Sequence, residues 1–283
     1  YHALRAGEPR NPLVQSAPTE LANLDEALAL PHGMDEETFF DEFCPPLPPN
    51  HLPQEDEPEA VRELLRLRPF RQYARDHWDE KRWRLHRWAY ARLTEQVDRQ
   101  IGVVLRALRE SGQDGTTLVV FTSDHGDHDG AHKLEHKTEF YDEAVRVPFL
   151  MRHPGRIAAG RIDQTHLINN GLDLLPTVCD YAGIEPPPGL NGASVRPRAE
   201  FPEHSAPQRH VFAENQVSDM VCTGDWKYVE YFGGENPVQL YDLTRDPGET
   251  RNAAFDPENE PVLTHHQALL ARERRKHASS PAG

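Results

Sequence analysis

Asp124 and His125 stand side by side directly after the apolar run Leu118-Val-Val-Phe-Thr-Ser123, and Gly126 follows them. A carboxylate oxygen beside an imidazole nitrogen is a donor pair suited to a divalent cation. In isolation the same pair more often caps a strand–loop junction, so the surroundings must decide. The preceding β-branched run reads as a buried strand of a mainly parallel sheet with both faces covered. Ligands collect beyond the carboxyl ends of such strands, which is where the run delivers the acid and the imidazole. Gly126 then lets the chain turn sharply away.

Three further histidines, His128, His132 and His136, follow at four-residue spacing. On a helix they would share a face and suggest zinc. Asp127, Asp129, Gly126 and Gly130 favour a loop instead, which predicts His128 and His136 as loop residues near a pocket mouth.

The stretch from Asp124 to Met151 contains Asp-His-Gly, Lys137, Phe140-Tyr-Asp-Glu143 and Val145-Arg-Val-Pro148 in order. It resembles the type I sulfatase family of the alkaline-phosphatase-like superfamily. There a strand ends in Ser-Asp-(Asn or His)-Gly, and a Gly-Glu-His-Gly loop, a lysine and Val-Arg-Val-Pro follow. The resemblance implies Asp124 and His125 as ligands of one calcium ion and Lys137 as the contact to the sulfate. His132 falls at the histidine of the Gly-Glu-His-Gly loop and is expected to pack in the loop or face substrate. Ala131 and Lys133 depart from that motif. The chemistry is coherent, because a fixed cation and an ammonium stabilise the charge that develops as the S–O bond breaks.

The family's nucleophile is a formylglycine made from the cysteine of Cys-x-Pro-x-Arg. Cys44-Pro-Pro-Leu-Pro48 matches only to the proline, and is read as a coincidence. The resemblance therefore covers the family's second part, and the chain is expected to lack the nucleophile and to be inactive alone. Cys44, Cys179 and Cys222 are odd in number and widely spaced, so no disulfide framework follows.

A net charge of −15 over 283 residues argues against nucleic acid as a partner. No apolar stretch approaches the length of a membrane span. Family habit implies a periplasmic or secreted location.

The elements that must position these residues are legible in outline. Short helical pieces are expected around 21–30 and 35–43, and a proline-rich coil over 44–59 that resembles a surface-crossing family segment. Apolar residues at three- and four-residue steps from Leu85 to Leu108 predict a long amphipathic helix over 78–111, closed by Gly112. A strand is expected over 117–122, one or two helical turns over 138–144 and a strand over 145–151. A helix over 169–183 is expected with Asp173 as N-cap, Pro176 in its first turn and Gly183 at its end. Short strands follow over 210–214, 219–223, 226–232 and 238–243, then a helix over 263–276. Lys227 and His210 are read as packing or solvated residues rather than substrate contacts.

The fold class expected is α/β: a mainly parallel sheet flanked by helices, with a small C-terminal antiparallel sheet plus helix. Residues 1–204 would form the second part of the large domain and 205–283 the antiparallel subdomain. The function implied is hydrolysis of a sulfate ester on a sulfated small molecule or carbohydrate. Two alternatives stand beside it: a zinc-dependent phosphodiesterase or phosphonate hydrolase of the same superfamily, and a truncated non-catalytic relative.

Overall fold

The computed structural model describes residues 30 and 33–278; the expected helix over 21–30 lies almost wholly outside them. Asp35 caps a short turn, Glu36–Thr38, by accepting from the Thr38 amide at 2.9 Å. The turn runs into a π-helical turn, Phe39–Phe43. Phe39, Phe40 and Cys44 pack there against Ala74, Trp78, Trp83 and Leu85. Cys44 is thus a core residue, in keeping with the reading of its motif as coincidence. The proline-rich stretch that follows is ordered coil.

Three helices come next: α1 (Glu59–Arg66), α2 (Pro69–His77) and α3 (Glu80–Glu110). Asp79 caps α3 through the Arg82 amide at 2.8 Å, and Gly112 just beyond its end has φ of 72°. Only the first turns of α3 are packed. Leu93, Val97 and Val104, on its apolar stripe, are exposed.

β1 (Val119–Thr122) pairs antiparallel with β2 (Phe149–Arg152), Phe121 lying opposite Leu150. The parallel ladder and the burial expected for this run are corrected at this point. Among the described residues β2 is its one hydrogen-bonded neighbour, and Phe121 and Leu150 are both exposed on a shared face. The composition of the run suits burial on both sides, but nothing among the described residues covers that face.

A short helix, α4 (Asp142–Val145), leads into β2. Helix α5 (Asn170–Ala182) is capped differently from expectation. Asn169 occupies the N-cap, and Asp173 reaches back to accept from the Asn169 amide at 2.8 Å and from the Ala193 amide at 2.9 Å. Pro176 sits inside the helix rather than in its first turn. Its missing N–H leaves the Leu172 carbonyl without a helical partner, and Gly192 packs against that carbonyl. Gly183 ends the helix with φ of 70°, as its position suggests.

After α6 (Arg196–Glu200), strands β3 (Val211–Glu214), β4 (Ser218–Cys222), β5 (Trp226–Tyr231) and β6 (Val238–Asp242) form an antiparallel sheet in chain order. Helix α7 (Glu260–Ala278) closes the described chain. The row Phe212, Val221, Tyr228 and Leu240 faces Leu269 and Leu270 of α7. On the other face Met220, Val229, Tyr231 and Tyr241 join Val61, Leu65, Leu134, Phe140 and Tyr141 in one core. Both faces are covered, so these antiparallel strands carry near-continuous apolar runs rather than clean alternation. The sheet is also the floor on which the segment after β1 rests.

Candidate active site

Asp124 and His125 leave the tip of β1 as expected. The Asp124 Oδ1 accepts from the His125 amide at 3.0 Å, and the Ser123 hydroxyl oxygen lies 3.3 Å from it. The same hydroxyl donates to the His125 carbonyl at 2.7 Å. These bonds hold the acid and the imidazole on one side of a tight bend. The His125 Nδ1 lies 2.7 Å from the Gly126 carbonyl, which can only accept, so Nδ1 carries the proton. Nε2 then presents its lone pair outward, 3.3 Å from Asp124 Oδ2.

Lys137 completes the group, its Nζ in contact with His125 Nε2. Twelve residues separate the two in sequence, and the intervening loop brings them together. The His128 amide donates to the His136 carbonyl at 2.8 Å, and the Gly130 amide to the Leu134 carbonyl at 2.9 Å. Of seven non-glycine residues with positive φ among the described residues, Asp129, His132, Lys133 and His136 lie in this loop and Thr138 directly after Lys137. Such conformations are costly, persist only where the surroundings over-determine them and cluster at functional sites. At the mouth of the loop, the Gly126 amide donates to the Ala144 carbonyl at 2.8 Å. A Cβ on Gly126 would meet the Glu143 carbonyl oxygen at 1.9 Å, so only glycine permits that approach.

The electrostatics keep the Asp124 carboxyl ionised. Burial raises the Asp124 carboxyl slightly, and the His125 amide, the His125 ring and Lys137 outweigh it, leaving the acid below its usual range. The Asp124 side chain is 81% exposed and that of His125 37%, so the group opens to solvent. Beside it lies a cavity of about 270 Å3 whose lining includes Asp142, Arg146, Gln164, Asn170 and Lys227. The Asn170 amide side chain bonds the Ser123 carbonyl, tying the cavity wall to the residue before Asp124.

The remaining histidines take no part. His132 is completely buried, stacked on Tyr141 with ring centroids 3.8 Å apart. That is the packing alternative, and it corrects the substrate-side placement. Burial, with the charge of His128, depresses its imidazole to about 3. His128 is buried against Glu139 at 3.0 Å, and His136 engages Glu135 at 3.1 Å. His128 is therefore not at a pocket mouth, whereas the His136 side chain is exposed beside Lys137. Lys227 is buried, bound to Asp142 and to Glu249 at 2.8 Å, and His210 bonds Glu273 at 3.1 Å. Both are packing residues.

Sequence reasoning missed Asn50. Its side chain donates to Glu143 Oε1 at 2.8 Å and to the Gly248 carbonyl at 3.0 Å, and its own carbonyl accepts from the His132 amide at 2.8 Å. It joins the coil, the site loop and the turn after β6. The only available signal was Leu-Pro-Pro-Asn50, which marked an ordered coil but no role.

Among the described residues, no group of three or more His, Cys, Asp or Glu side chains is placed to hold a metal ion. Asp124 Oδ2 and His125 Nε2 face a common point, but calcium takes six to eight donors. The donor set fits such an ion only as a fragment to be completed by further oxygen ligands.

The sulfatase family model matches residues 50–184, and the model for N-sulphoglucosamine sulphohydrolase, C-terminal, matches residues 130–276. The chain belongs to the sulfatase family, and its fold is that of the alkaline-phosphatase-like sulfatases. It is 36% identical over 204 residues to the Delta 4,5-hexuronate-2-O-sulfatase of Bacteroides thetaiotaomicron, covering 69% of this chain and 42% of that protein. A solved 2-O GAG sulfatase superposes with a TM-score of 0.76 at 30% identity, over 92% of this chain and 58% of that one. The phosphonate monoester hydrolase of Agrobacterium radiobacter gives 0.62 at 28% identity, over 71% and 43%. The chain thus spans less than two thirds of these relatives.

Proposed function

We propose that the complete protein carrying this chain hydrolyses sulfate esters of a sulfated carbohydrate, and that Asp124, His125 and Lys137 form half of its active site. The observation that carries the reading is the convergence of the three side chains at an exposed strand tip. Asp124 and His125 would hold a calcium ion together with carboxylates from outside this chain. When bound, the ion would supply positive charge that orients and neutralises the sulfate. Lys137 is the residue that would place an ammonium on a sulfate oxygen, and its place beside His125 keeps it within reach. The nucleophile, formylglycine in this reading, would also come from outside the chain. The adjacent cavity would take part of the sugar, with Asn170, Gln164 and Arg146 as polar contacts.

The likeness to a phosphonate monoester hydrolase makes a zinc-dependent hydrolase of phosphorus esters the competing reading. A second metal there needs a downstream histidine ligand. His128, His132 and His136 are engaged elsewhere, which favours the sulfatase. The discriminating experiment assays the complete protein against sulfated glycosaminoglycan disaccharides and against phosphonate and phosphate monoesters and diesters, with metal analysis. Sulfate release with bound calcium is expected. Preferred turnover of phosphorus esters with stoichiometric zinc would overturn the assignment.

A further inference from the structure

Arg71 lies on α2, more than fifty residues before the site, yet it is completely buried beneath the loop that joins His125 to Lys137. Its Nη2 donates to Glu139 Oε2 at 3.0 Å. Its Nε lies 3.1 Å from Glu135 Oε1. The Glu139 oxygen that meets Arg71 also meets His128 Nε2 at 3.0 Å. One guanidinium therefore ties together the departing limb of the loop, through His128 and Glu139, and the returning limb, through Glu135. The two limbs are also joined by the His128 amide and the His136 carbonyl. Lys137 lies between Glu135 and Glu139 in sequence, and its own side chain is exposed. The loop's strained backbone at Asp129, His132, Lys133, His136 and Thr138 needs such an external restraint.

We propose that Arg71 is a positioning residue for the active site, setting the place of Lys137 beside Asp124 and His125 by clamping both limbs of the loop. This rests on the reading of Asp124, His125 and Lys137 as the site. Arginine suits the place because its planar guanidinium reaches both acids at once, with a hydrogen bond from Nη2 to Glu139 and an ion pair between Nε and Glu135 at 3.1 Å, which a lysine cannot match.

The test is a double-mutant cycle in the complete protein, with Arg71→Met, Arg71→Lys, Lys137→Met and the two double variants. Rates are read on the sulfated disaccharide that it turns over best. Outer-sphere residues of this kind typically cost about 10–100-fold, so Arg71→Met is expected to lower kcat/KM in that range. On the Lys137→Met background it should cost less than about twofold, because the group through which it acts is gone. Arg71→Lys should show the same pattern, and it carries the test if Arg71→Met does not fold. A readout free of turnover is the His125 Nε2 nitrogen shift, expected to move in the Arg71 variants to its value in Lys137→Met. Multiplicative losses on the Lys137→Met background, or an unmoved His125 signal, would overturn the positioning role. An unchanged rate in Lys137→Met alone would instead sink the site assignment.

Discussion

Lys137 is the side chain whose chemistry the proposed reaction needs most. Removing one donor aimed at developing oxyanion charge typically costs about 10²–10³ in rate. Lys137→Met in the complete protein should lower kcat by that amount, and Lys137→Arg should recover part of it. Steady-state kinetics with sulfated disaccharides checks this. His132 makes a different prediction. Its folded value lies at about 3 and its ordinary value at 6.5. Below 6.5 the unfolded chain takes up a proton that the folded chain refuses, so stability falls as pH drops from 6.5 towards 3. Glu139 adds to the fall. Burial pushes its carboxyl up, but His128 and Arg71 outweigh that and hold it at about 2, against an ordinary 4.5. Its stabilising share is complete above 4.5 and disappears as pH falls towards 2. His132→Asn removes the first component, and urea midpoints between pH 3 and 7 should show a shallower slope. Asp124, His125 and Lys137 could be singled out from the sequence because they sit in one ordered motif, and the structure brings them together. Arg71, Glu139 and Asn50 were not, since each acts across sequence separations of 68 to 198 residues, which no local pattern encodes.

Among the elements, α3, α5, α7 and the four strands of the C-terminal sheet follow from apolar spacing and turn residues. The cap of α5 was misplaced because Asp173 and Asn169 are both good capping residues. The one inside the helix bonds backward to the cap's own amide. The direction of the β1 ladder was not readable either, since the β-branched run reports burial and not the polarity of the neighbouring strand. The joint between β1 and α4 depends on a missing side chain. Gly126→Ala would drive a methyl group to 1.9 Å from the Glu143 carbonyl oxygen, forcing the backbone apart. Overpacking of this kind costs about 1–3 kcal/mol. Because Gly126 follows His125 directly, the same substitution should displace Asp124 and His125. Denaturant melts of Gly126→Ala should show the loss of stability.

At the scale of the whole molecule, the apolar side chains exposed among the described residues include Leu93, Val97 and Val104 on α3 and the cross-strand pair Phe121 and Leu150. Exposed apolar surface of this kind marks an interaction face. If Asp124, His125 and Lys137 form half of a sulfatase site, the rest of the large α/β domain covers that surface in the complete protein. Val97→Glu should therefore raise the solubility of this chain when expressed alone and lower the melting temperature of the complete protein. A rise or no change in the latter would count against a buried face.

Whether the three side chains share one cation and one sulfate is settled most directly by a crystal structure of the complete protein. It would be grown with calcium and a sulfated disaccharide, with anomalous scattering to identify the metal. One calcium ion is expected, with Asp124 and His125 among its ligands, and Lys137 Nζ within hydrogen-bond distance of a sulfate oxygen on that ion. A metal bound without Asp124 and His125, or a sulfate group that lies away from Lys137, would contradict the sulfatase site proposed for this chain.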